Sequence, residues 1–172
     1  MESSISLKFD SQYKIFGFYQ LFGGLIGLYL VFSSIYNLGF QSIPVIFLFI
    51  VMFLFYIYST ICGVLCLRKN EMALTLSYIN QLLQIIGIGF AGYLYNYAAG
   101  IYFSLSFDLK NFSNFNFLIG ISKMNLQFNT SSNSVMFEIN LIAISLMIWI
   151  DKLKTKIKNE VLNLKTEEFG NS

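Results

Sequence analysis

The chain has no histidine, and charged residues are scarce. Of its 172 residues, 11 are lysine or arginine and 9 are aspartate or glutamate, together 12%. The absence of histidine removes the commonest metal ligand and the side chain that most often transfers protons near neutral pH. No grouping of the other polar residues has the spacing of a catalytic, metal or nucleotide site. We therefore predict a protein that is not an enzyme and that needs no metal or other cofactor.

Cysteine and proline are also rare. The two cysteines, Cys62 and Cys66, lie four residues apart, and no second pair exists that could build a disulfide framework. A helical thiol pair could hold a metal or be acylated, but we interpret these two as small buried hydrophobes. The net charge of +2 is too small to indicate a nucleic-acid-binding surface. The only proline, Pro44, predicts the first turn of a helix.

Apolar residues are abundant instead: 56% of the chain is hydrophobic, and its mean hydropathy is +0.64. Three runs without charge, at about 15–38, 43–67 and 72–99, reach the roughly 20 residues that cross a bilayer as a helix. A shorter run at 135–150 is a fourth candidate span. These runs predict a membrane all-α fold, in which a four-transmembrane-helix bundle forms a single integral membrane domain with the lipid bilayer as its surroundings.

Basic residues give the predicted orientation. Of the eleven, nine lie before the first run, between the second and third, or after the fourth, whereas only Lys110 and Lys123 lie within 101–133. Because basic loops stay in the cytoplasm, both termini are predicted to be cytoplasmic, in a bacterial inner membrane. Residues 151–172 then form a cytoplasmic amphipathic tail, lying on the inner surface or pairing with a partner helix. Glu138 is placed at the outer boundary, in contact with solvent.

The outer loop, 101–133, alternates apolar and polar residues, a pattern typical of half-buried strands. We predict a small antiparallel β meander with strands at about 101–109, 115–121 and 123–129, and a further strand at 135–139. Its apolar face is expected to lie on the outer ends of the helices, since an isolated hairpin is marginal in water. Its polar face is predicted to point outward, as a simple lid or as a docking surface. The members of that candidate docking face are Ser104, Ser106, Asp108, Asn125 and Gln127.

Small and amide side chains share helix faces in the first and third runs. In lipid, such residues let helices approach closely and form hydrogen bonds between them. The candidate helix-packing seam consists of Gln20, Gly23, Gly24, Gly27, Asn80, Gln84, Gly87 and Ala91. The alternative is a polar path for a solute, lined by Gln20, Asn80, Gln81 and Gln84, although the first three runs lack the charged residue that carriers usually keep. Amides that point at neighbouring helices favour packing, and amides that point into water favour the path.

Two functional classes therefore stay open. The first is a non-enzymatic interaction or accessory subunit of a cell-envelope assembly, with a protein partner or as a homo-oligomer and without nucleic acid. The second is a channel or carrier component. Small-residue faces, a one-sided outer sheet and an amphipathic tail favour the first class, and the buried amides favour the second.

Overall fold

A computed structural model describes residues 9–39, 43–90, 93–108, 111–127 and 135–170. Three helices are followed by four strands and a last helix, and the strands join into one antiparallel sheet. The elements are α1 (Asp10–Leu38), α2 (Ile43–Leu67), α3 (Ala73–Ile85), β1 (Ile86–Phe90), β2 (Tyr93–Asp108), β3 (Asn111–Gln127), β4 (Met136–Asn140) and α4 (Leu141–Gly170). The fold is mixed helix and sheet, so the prediction of an all-α, four-transmembrane-helix bundle is wrong.

Only α1 and α2, among the described helices, are long and apolar enough to cross a membrane. They agree with the first two predicted spans and pack against each other as a helical hairpin. Glycines set the close approach. A Cβ on Gly24 would lie 2.9 Å from the carbonyl oxygen of Tyr56, and a Cβ on Gly63 would lie 2.5 Å from the backbone nitrogen of Leu21.

The predicted third span is wrong because its helix ends at Ile85. The chain continues as IGIGF in β1 and then as the aromatic YLYNY at the start of β2. Glycine at every second position and β-branched or aromatic neighbours favour strand over helix. An uncharged apolar run does not by itself distinguish a buried strand from a helix.

The predicted fourth span is also wrong. Residues 136–140 form β4, close to the further strand predicted at 135–139, and α4 begins only at Leu141. Asn140 caps this helix, since its Oδ1 accepts hydrogen bonds from the backbone N–H groups of Ile142 (3.2 Å) and Ala143 (3.3 Å). The helix continues without a break through the lysine-rich segment, which was predicted to be helical. α4 is not among the candidate spans.

The sheet has the order β1-β4-β2-β3, with an additional β1–β2 pairing. The start of β2 pairs with β1, its end pairs with β4, and β1 pairs with β4, so these three strands close a small ring. The bend that this requires falls at Gly100, whose φ is 103°. β3 is one strand, not the two predicted at 115–121 and 123–129. Ser122, with φ of 49°, lies between the two predicted ranges, within the continuous strand.

The sheet lies beside the middle of α1, not on the helix ends as predicted. The Tyr19 hydroxyl donates to the carbonyl of Ile101 (2.7 Å), and the Ser122 hydroxyl donates to the carbonyl of Gly23 (2.8 Å). A Cβ on Gly23 would overlap the backbone of Gly100. Buried aromatics complete this junction, where the ring of Tyr97 in β2 packs edge-on against Tyr56 in α2.

Candidate functional site

A buried polar network joins α1, α2, α3 and β2. Asn80 is at its centre: its Nδ2 donates to Gln20 Oε1 (2.9 Å) and to Ser59 Oγ (3.2 Å), and its Oδ1 accepts from the Tyr97 hydroxyl (3.3 Å). Gln20 also donates to Ser77 Oγ (2.8 Å). Gln20, Ser59, Ser77 and Asn80 are fully buried. The amides of Gln20 and Asn80 therefore point at neighbouring elements.

Two further amides of the predicted polar path are buried beside this network. Gln84 Oε1 accepts a hydrogen bond from the backbone N–H of Ala99 (2.8 Å), which ties α3 to β2. Gln81 Oε1 and Gln84 Nε2 have no hydrogen-bond partner among the described residues. Neither of the two described cavities contains the amides of Gln20, Asn80, Gln81 or Gln84.

The structure places the glycines of the candidate helix-packing seam in contacts with three different elements. Gly24 and Gly27 face α2, where a Cβ on Gly27 would overlap the buried ring of Tyr56, and Gly23 faces β2. Gly87 lies in β1, where a Cβ would lie 3.0 Å from the Asn96 side chain. Ala91 lies outside the described residues. Gly17 and Gly63, which the sequence reasoning missed, form a second close contact between α1 and α2.

Glu138 is buried in the sheet, so its predicted exposure to solvent is wrong. Its side chain is 8% exposed, forms an ion pair with Lys123 (2.5 Å) and accepts a hydrogen bond from Asn96. Lys123 also lies over the ring of Tyr102, 4.6 Å from its centre. Asn96, Lys123 and Glu138 border a cavity of about 130 Å³. They satisfy one another by hydrogen bonding and ion pairing, which indicates a structural role.

The candidate docking face does not form as predicted. Ser104 and Ser106, which lie opposite Asn140 and Glu138 of β4 in the sheet, are 1% and 3% exposed, whereas Asn125 is exposed and Asp108 is half-buried. The side chain of Gln127 lies outside what the structure describes. Ser104 and Ser106 were predicted to face outward, but they are buried.

The exposed surface of the sheet is instead the apolar strand β3. Phe115, Phe117, Ile119 and Ile121 are 57–77% exposed. β3 ends the strand order, and no strand among the described residues pairs with its outer edge. The apolar run FLIGI at 117–121 is the sequence signal for this surface. The prediction missed the surface because it assumed that the apolar side is buried against the same chain.

Comparison with family models, with curated proteins and with solved structures finds no match for this chain.

Proposed function

We propose that the chain is a non-enzymatic interaction subunit of a membrane assembly, held in the bilayer by α1 and α2 and joined to a partner subunit through the free edge of β3. The observation that carries this proposal is the apolar edge at residues 115–121, with which no strand among the described segments pairs. The proposed location is an inner membrane, with both termini in the cytoplasm.

The outer faces of α1 and α2 support the membrane placement. Large apolar side chains such as Phe22, Phe32, Phe47 and Leu54 are 57–59% exposed along these helices. Water would hydrate such a continuous apolar surface unfavourably, whereas lipid tails accommodate it. Basic residues support the orientation, since Lys69 beside α2 forms an ion pair (2.7 Å) with Asp10 at the start of α1 and so lies at the same end.

The depth of the sheet then makes a partner strand necessary. Gly23, near the middle of α1, contacts Gly100 and Ser122, so the sheet lies at the level of the hydrocarbon core if α1 crosses the bilayer. An open sheet edge in hydrocarbon leaves backbone N–H and C=O groups without hydrogen bonds, each at a cost of several kcal/mol. An added strand from a partner satisfies these groups and covers the apolar side chains.

The buried amides support an interaction subunit more than a carrier. Gln20 and Asn80 hydrogen-bond to each other and to neighbouring elements, the arrangement expected for packing. Gln84 likewise binds the backbone of β2. The transport alternative requires the same amides to line a water-filled path. We assign them instead to the buried interior, where their hydrogen bonds hold the sheet against the helices.

Site-specific photo-crosslinking tests the proposal. A photoreactive phenylalanine analogue at Phe117 should form a discrete protein adduct in intact membranes, because this side chain lies on the proposed interface. The same analogue at Phe22, on the outer face of α1, should form adducts with lipid only. Mass spectrometry of the purified adduct identifies the partner as another protein or a second copy of this chain.

A charge at the edge provides the specificity control. Ile119→Lys should abolish the adduct formed from position 117, since lysine on an edge strand opposes strand addition. Asn125→Lys adds the same charge to β3 without removing apolar area, and should leave the adduct in place. Lipid adducts alone from both Phe117 and Phe22 would refute the proposal.

A further inference from the structure

A basic groove lies at the end of the molecule where α1 begins. It has a volume of about 1020 Å³ and is bordered by the start of α1, the turn between α2 and α3, and α4. Its apolar lining includes Phe9, Tyr13, Leu74, Ile157 and Val161. Phe9 and Leu74 are buried and belong to the core cluster that joins all four described helices. The base of the groove is therefore formed by apolar side chains that belong to the buried core.

Four cations surround this base: Arg68, Lys69, Lys154 and Lys158. Glu71 is the one acidic residue among the lining residues. Lys69 forms an ion pair with Asp10 (2.7 Å), but Arg68, Lys154 and Lys158 form no ion pair within the part of the chain that the structure describes. The groove therefore carries positive charge that its own side chains leave uncompensated.

The start of α3 adds to the positive electrostatic potential in the groove. Leu74 and Thr75, in the first turn of α3, line the groove, and Asn70 accepts hydrogen bonds from the N–H groups of Met72 (2.9 Å) and Ala73 (3.0 Å) just before them. The N-terminal end of a helix carries partial positive charge, which favours an anion. Charge and helix orientation therefore favour the same class of ligand.

We propose that the basic groove binds the headgroup of an acidic phospholipid. Arg68 follows directly after Leu67, the last residue of α2, so the cations lie where the candidate span ends and where headgroups would be. A phosphate pairs with the cations, and the apolar base receives the first part of the acyl chains, which a free inorganic phosphate does not have. Basic pockets between helices bind acidic lipids in this way. The inference rests on the membrane placement proposed above.

Native mass spectrometry of the detergent-solubilised protein tests this inference. Phosphatidylglycerol and phosphatidylcholine with identical acyl chains serve as the two probes, and phosphatidylglycerol should bind more tightly. Lys154→Gln with Lys158→Gln should weaken its binding by about tenfold, the order expected from losing two cations near an anionic headgroup. Lys152→Gln with Lys156→Gln is the matched control, because these exposed lysines lie on the same helix but do not line the groove.

The two lipids and the two pairs of variants together distinguish the possible outcomes. Preferential binding of phosphatidylglycerol that is lost in the groove pair and kept in the control pair supports the inference. Equal binding of the two lipids, equal loss in both pairs, or displacement of the lipid by millimolar inorganic phosphate overturns it. Alkaline extraction from liposomes tests the membrane placement separately, so that a protein that resists extraction but does not distinguish the lipids refutes only the groove.

Discussion

The molecule contains two hairpins that both expose apolar side chains, one of helices (α1 and α2) and one of strands (β2 and β3). Phe22 on α1 and Ile119 on β3 are 59% and 77% exposed. The helices make their backbone hydrogen bonds internally, whereas no strand in the part of the chain that the structure describes pairs with the outer row of N–H and C=O groups of β3. Lipid can cover the first surface, but only a strand can complete the second. Exposed apolar area therefore has different consequences on the two hairpins.

The largest expected effect tests the buried ion pair that joins the strand hairpin to β4. Lys123→Met leaves the Glu138 carboxylate buried without its cation, which should lower the free energy of unfolding by about 3 kcal/mol. Thermal unfolding followed by circular dichroism measures the change. The double variant Lys123→Met with Glu138→Leu should recover most of the loss, and a single variant no less stable than the double would contradict the role of the ion pair.

The next prediction concerns the contact between the two hairpins. Gly23→Ala should cost about 2 kcal/mol, because the added Cβ overlaps the backbone of Gly100 and backbone cannot move as a side-chain end can. Gly89→Ala is the matched control, since its Cβ would meet the flexible end of Leu94 at 3.1 Å. Denaturation in detergent should rank Gly23→Ala well below Gly89→Ala. Equal stability of the two would mean that the hairpins are not in backbone contact.

A smaller effect is expected within the buried polar network. Asn80→Leu removes the donor to Gln20 Oε1 and to Ser59, leaving buried acceptors unpaired at a cost of about 1 to 2 kcal/mol. Leu82→Ala, on the exposed face of the same helix, should change stability by only about 0.5 kcal/mol. A stable Asn80→Leu protein that has lost a solute flux in vesicles would favour the transport alternative.

The smallest expected effect on stability is at the free edge. Ile119→Lys places a charge on a side chain that is already exposed, so the isolated protein should unfold within about 0.5 kcal/mol of the parent. Its association with the partner should nevertheless be lost, as measured by co-purification from membranes. Loss of both stability and association would mean that Ile119 supports the fold itself.

The sequence predicted those elements whose pattern has one interpretation. The apolar runs of α1 and α2 are too long and too uniform for strands, and the alternation at 101–109 indicated β2. The prediction of a single span at 72–99 is wrong because α3, β1 and part of β2 form one uncharged run. Only the glycine spacing in IGIGF marks the change of structure.

The candidate site was predicted in part for a similar reason. Gln20, Asn80 and Gly23 stand out in the sequence, since amides and glycines are unusual in an apolar helix, and the structure places all three in close interior contacts. Their partners depend on tertiary contacts that a helical face does not specify. Ser104 and Ser106 are buried and not outward-facing, and they pair with β4, which is distant in the sequence.

Amide hydrogen exchange across residues 115–121 tests the central claim, that the free edge of β3 is completed by a partner strand. In the isolated subunit, the amides on the unpaired edge should exchange rapidly while those bonded to β2 are protected. In the assembly purified from membranes, both sets should be protected. Rapid exchange of the edge amides in the intact assembly would contradict strand addition and with it the proposed mode of interaction.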